Sequence, residues 1–97
     1  MKLNQIMKQA QALQEKFKKQ LEDMSVEATS GGGMVAVQMN GNKTVLGVTI
    51  DPEVVDKEDV EMLQDLVTAA VNEASRKVDE AAQEQLGSMA GNIPGLF

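Results

Sequence analysis

The stretch Ser30–Asp51, SGGGMVAVQMNGNKTVLGVTID, decides how the chain is read. Three glycines stand together, an alternating apolar run follows, Asn-Gly-Asn interrupts it, and the alternation resumes. A glycine run can cradle phosphate, but such loops follow a strand and open a helix whose N–H groups hold the anion. Here the glycines lead into Met34–Met39, which has a strand's period of two, and no Gly-Lys-Ser/Thr is present. The glycines therefore read as a hairpin turn, where a positive φ costs them little. Three strands are expected, Met24–Ser30, Met34–Asn40 and Lys43–Ile50. With Gly31-Gly32 as a two-residue loop, Val26 faces Val37 and Ala28 faces Val35. With Gly41-Asn42 as the second, Val37 faces Leu46 and Val35 faces Val48. Met24, Val26, Ala28, Val35, Val37, Met39, Leu46, Val48 and Ile50 then share one face, whereas an odd-length loop would turn one strand's apolar set outward.

Helices flank this meander. Over residues 2–22, Leu3, Ile6, Met7, Ala10, Leu13, Phe17 and Leu21 recur at steps of three and four without Gly or Pro. They form one stripe, with Lys8, Lys16 and Lys19 opposite and Lys2 and Lys18 at its two margins. The coiled-coil-like repeat predicts packing along another long helix. Past the meander, Asp51 caps a turn with Pro52 at a first helical position, and Asp56 reads as a second N-cap ahead of Glu58, Asp59 and Glu61. From Lys57, Val60, Leu63, Val67, Ala70, Ala74 and Ala81 mark a long helix, widened by Met62, Leu66, Val71 and Val78, weakened at Gly87 and ended near Gly91. About 30 residues give a helix of 45–50 Å, against a sheet about 15–20 Å across. The overhang, with Val78, Ala81, Ala82 and Leu86, needs cover that the first helix supplies in part, with a second copy of the chain as the simplest source of the rest. The expected architecture is α+β, an α-β-β-β-α protomer in one domain over residues 1–90, with a flexible tail over 91–97.

Composition narrows the function. Of 97 residues, only Phe17 and Phe97 are aromatic, so the core is aliphatic and the seven methionines serve mainly as filling. A small core of this kind gains from oligomerisation. With no cysteine and no histidine, Cys-His and Ser-His catalytic pairs and the common zinc sites are excluded. The acids around Asp51–Glu61 belong to helix starts and lack the spaced ligands and central glycine of a calcium loop. No cofactor, metal or small-molecule substrate is expected. Nothing reads as a membrane span or a signal peptide, which places the chain in the cytoplasm.

Charge carries what remains. The formal net charge is −6, yet residues 1–20 hold five lysines and one glutamate (+4), while residues 21–97 hold four basic and fourteen acidic residues (−10). A basic helix on an acidic body points to an anionic partner. Arg76 and Lys77 are expected in pairs with Glu80 and Glu73, four residues away. The sheet offers no aromatic for base stacking, and no helix-turn-helix or zinc module appears.

The segments MKQAQALQEKFKK, GGGMVAVQMNGN, VTIDPEVV, LQDLVTAAVNEASRK and the closing PGLF, in that order across nearly the whole chain, resemble the YbaB/EbfC family of bacterial nucleoid-associated proteins. The resemblance implies a tweezer-like homodimer that binds double-stranded DNA with little sequence preference, lies on the nucleoid and catalyses nothing. It carries no sharp functional motif, so DNA contact is assigned to basic positions of this chain: chiefly Lys8, Lys16 and Lys19, with Lys2, Lys18, Lys43 and Arg76 as lesser contacts. Binding is expected to be electrostatic and salt-sensitive. The alternative is a protein-interaction module that uses the long helices and the apolar tail residues Ile93, Leu96 and Phe97, with DNA incidental.

Overall fold

The computed structural model describes residues 2–91. Helix α1 spans Lys2–Asp23, strands β1 (Ser25–Ser30), β2 (Val35–Asn40) and β3 (Val45–Ile50) form one antiparallel sheet in the order β1-β2-β3, and helix α2 spans Val60–Gly91. The α-β-β-β-α order and the meander are those read from the sequence. The expected tail lies outside the described residues, apart from Gly91 in the last position of α2.

Both hairpin loops are longer than expected. Ser30 pairs with Val35, so Gly31–Met34 form a four-residue loop, and Ala28 faces Val37 rather than Val35. Val37 likewise faces Val48 rather than Leu46, and Val35 faces Ile50. Each register moves by two residues, and because the side-chain period is also two, the apolar faces still coincide. The first loop uses its glycines as expected: Gly31, Gly32 and Gly33 all have positive φ. The second does not. Its left-handed residue is Lys43, at φ 64°, and the ladder is irregular where Met39 pairs with Val45 while Gln38 pairs with Gly47, which leaves Leu46 as the extra residue of a bulge.

The entry to α2 also departs from expectation. Asp51 caps as read, its carboxylate accepting from Glu53 N at 3.0 Å around a short 3-10 turn, Pro52–Val54. Asp56 closes only a local turn, accepting from Glu58 N at 2.9 Å. The helix starts three residues later than read, where Asp59 accepts from Met62 N at 3.2 Å and so satisfies a donor of the first helical turn.

The core lies between α2 and the first two strands. Ala28, Val35, Val37 and Met39 of the sheet are buried against Ala70, Ala74 and Val78 of α2. Two alanines one turn apart let α2 lie close on the sheet, and the larger Leu63, Leu66, Val67 and Val71 pack at the margins with Met24, Val26 and Ile50. This cover stops short of the third strand: Val45, Leu46 and Val48 are 43%, 55% and 46% exposed. Helix α1 has no fully buried side chain: Phe17 and Leu21, towards its C-terminal end, are half-buried, and Leu3, Ile6, Met7 and Leu13 stand in the open. In the overhanging part of α2, Ala81 and Ala82 are half-buried within the protomer.

Candidate nucleic-acid interface

Helix α1 forms because 22 residues run without a breaker and its side chains are good helix formers. Its termini add nothing: the first turn holds Lys2 and no acid, and the last holds Glu22 and Asp23 and no base, both signs opposed to the helix dipole. It ends at one extreme of the sheet, where Gly41 N in the β2–β3 turn donates to Leu21 O at 2.8 Å. With no residue buried along its length, and with the molecule extending 67 Å in its longest direction, α1 projects off the sheet. Lys2, Lys8, Lys16, Lys18 and Lys19 are all exposed on it.

Seven of the fifteen acids concentrate elsewhere. Asp51 N donates to Met34 O at 2.8 Å and Ser30 Oγ donates to Leu66 O at 2.6 Å, so residues 51–66 sit at the Gly31–Met34 end of the sheet, opposite the junction with α1. Asp51, Glu53, Asp56, Glu58, Asp59, Glu61 and Asp65 are gathered there. The charge asymmetry along the sequence is thus in part also a separation in space, although Glu15, Glu22 and Asp23 lie on α1 and Asp79 lies against Lys43 near the junction of α1 with the sheet.

Three of the four other basic residues, Lys43, Arg76 and Lys77, are engaged. Arg76 reaches Glu73 with two nitrogens, the shorter contact 2.6 Å, and Glu80 at 2.6 Å. Hydrogen bonding and charge from Arg76 hold the Glu73 carboxyl below its ordinary range, and Glu73, then Glu80, push the guanidinium pKa up. Lys77 does not pair with Glu73 as expected; its Nζ donates to Glu27 O at 2.9 Å and ties α2 to β1, because the helix lies close enough for the nearer carbonyl to compete. Lys43 Nζ is 3.0 Å from Asp79. The structure thus brings Lys2, Lys8, Lys16, Lys18 and Lys19 together on α1, where they take part in none of the described ion pairs, and sets Lys43 and Arg76 apart, each already facing carboxylates. Sequence spacing revealed the Arg76–Glu80 pair; it gave no sign of the link from Lys43 to α2, which joins residues 36 apart in the chain.

Among the described residues no cluster of His, Cys, Asp and Glu could hold a metal ion, and no helix is long and apolar enough to cross a membrane. What the surface offers is a projecting cationic helix on a small α+β body, the build of a protein that meets a polyanion. The profile of the YbaB/EbfC DNA-binding family matches residues 1–93, and the chain belongs to that family. Similar proteins include a nucleoid-associated protein of Koribacter versatilis, 54% identical over 97% of this chain and 95% of the relative, and one of Alkaliphilus metalliredigens, 51% identical over 98% and 88%. One of Chloroflexus aurantiacus is 46% identical over the full length of both chains. The crystal structure of an uncharacterized protein from Helicobacter pylori matches with a TM-score of 0.74 at 25% identity, covering 90% of this chain and 91% of that one. The family is a nucleoid-associated DNA-binding family, not an enzyme family.

Proposed function

We propose that the chain works as a homodimer that binds duplex DNA through its phosphates, with low sequence preference and without catalysis, in the cytoplasm and on the nucleoid. The observation that carries this reading is the exposed lysine face of α1, outside every described ion pair, in a chain of a DNA-binding family. Lys8, Lys16 and Lys19 are the chief contacts, Lys2 and Lys18 flank them, and Lys43 and Arg76 contribute less because carboxylates already face them. Phosphate contacts of this kind position a protein on DNA but carry no sequence information. Grouping of seven of the fifteen acids at the far end of the sheet favours approach of a chain of net charge −6 to a polyanion through its basic helix.

The dimer is supported by uncovered apolar surface. The α1 stripe and Val45, Leu46 and Val48 of β3 are too large a set to leave to water, and a second copy is the simplest cover. Two projecting α1 helices would then give the tweezer shape. Binding of the purified protein to specific and random duplexes across a salt series tests the whole reading: steep salt dependence with equal affinities supports it, and no binding at low salt refutes it. In that case the interaction-module alternative stands, resting on the net acidity and the same bare apolar stripe of α1.

A further inference from the structure

Helix α1 is followed by β1 after a single residue, Met24, and only Phe17 and Leu21, towards its C-terminal end, are half-buried, so little fixes its direction except that end. The β2–β3 turn grips that end. Gly41 N donates to both Leu21 O at 2.8 Å and Met24 O at 3.0 Å, so it serves a carbonyl near the end of the helix, where internal donors run out. A Cβ on Gly41 would lie 2.5 Å from Leu21 O and 2.9 Å from Leu21 Cα, both backbone atoms that cannot swing aside. Gly41 has no positive φ; it is glycine because the helix end comes so near.

The turn is itself rigid and has a second arm. The buried Asn40 accepts at Oδ1 from Asn42 N at 2.9 Å and Thr44 N at 3.0 Å, and its backbone bonds to Thr44 O and Lys43 N. Lys43, in left-handed backbone, then extends to Asp79 of α2.

We propose that the Asn40–Thr44 turn is a bracket that sets the angle between α1 and α2, with Gly41 as its positioning residue, and thereby sets where the lysine face of α1 is presented to a phosphate backbone. The presentation to phosphate rests on the DNA-binding reading; the bracket does not. The lever is long: at about 1.5 Å per residue α1 measures about 33 Å, so a tilt of about 10° at its base moves its far end by about 6 Å.

The absence of cysteine makes the angle measurable. Spin labels at Gln9→Cys on α1 and Asn72→Cys on α2, with labelled chain diluted into an excess of unlabelled chain, report the distance within one protomer. Gly41→Ala shifts that distance while circular dichroism stays that of the folded protein. Gly32→Ala, strained by its φ of 70° but with open space around it, leaves the distance alone. Asn40→Ala, which removes the acceptor for two turn N–H groups, broadens the distribution, and Asn40→Asp, which keeps an acceptor there, restores it. If Gly41→Ala does not fold, the Asn40 pair decides. Unchanged distributions in folded Gly41→Ala and Asn40→Ala overturn the bracket. Duplex binding by the same variants separates the two claims: the salt slope falls by about 1 for each phosphate that the tilted helix no longer reaches. A shifted distance with unchanged DNA binding leaves the bracket standing and overturns the assignment of α1 as the DNA-facing helix.

Discussion

Replacing Lys8, Lys16 and Lys19 together by Gln removes the proposed main contact and leaves the folded protomer intact, because all three side chains are exposed and none takes part in a described ion pair. At about 100° per residue the three lie within an arc of about 80°. Eleven residues of helix span about 16 Å at 1.5 Å each, and a duplex carries one charge per ~1.7 Å of axis, so each lysine has a phosphate within reach. Each neutralised phosphate contributes about −0.9 to the slope of log affinity against log salt, so the variant's slope is shallower by about 2.7 if one protomer engages and about 5 if both do. At about 2.7, a fourfold rise in salt weakens the wild-type protein about 40 times more than the variant. Fluorescence anisotropy of a labelled random duplex, titrated at several salt concentrations, reads both slopes, with circular dichroism and sedimentation confirming fold and assembly. Parallel slopes would rule out the lysine face as the contact, even if the variant bound somewhat more weakly, because a lysine cannot leave a phosphate without the counterions returning.

Three further outcomes are expected. Val78→Ala, at a position 2% exposed between α2 and the sheet, loses about 2–3 kcal/mol from two methyl groups and the cavity they leave, read as a drop in Tm of about 10–20 °C for a domain of this size. Ile6→Asp with Leu13→Asp, at positions 60% and 66% exposed in the protomer, leaves the α2–sheet core untouched but converts the dimer to monomer in sedimentation equilibrium. The Glu73 carboxyl titrates below its ordinary range because Arg76 bonds to it, so its small contribution to α2 is present above the unfolded value and is lost as pH falls through the lowered folded value; Arg76→Gln moves the titration midpoint, followed by NMR, back up.

How much of this was legible depends on distance along the chain. The meander was readable because alternation and a shared apolar face are properties of short segments, and an even error in loop length left those faces matched. The start of α2 was misplaced because Asp56 and Asp59 carry the same capping chemistry, and only the backbone path shows that Asp59 serves the helix. The lysine face was readable from period alone; whether those lysines were paired was not. Lys77 turned from a neighbour four residues away to a carbonyl 50 residues away, and Lys43 found Asp79. Gly41 looked like a second flexible turn residue, and the structure shows instead a site of close approach to Leu21.

Composition and local period were enough for the order of elements, the apolar faces, the absence of thiol and imidazole chemistry, and the division into a basic first helix and an acidic remainder. The folded chain added that α2 covers β1 and β2 but leaves Val45, Leu46 and Val48 bare, that α1 has no fully buried side chain, and that the acids of residues 51–65 and the α1 junction lie at opposite ends of the sheet. Those outcomes depend on which residues meet across tens of positions. A period of two or of 3.6 states which face is apolar; it does not state what comes to lie against that face.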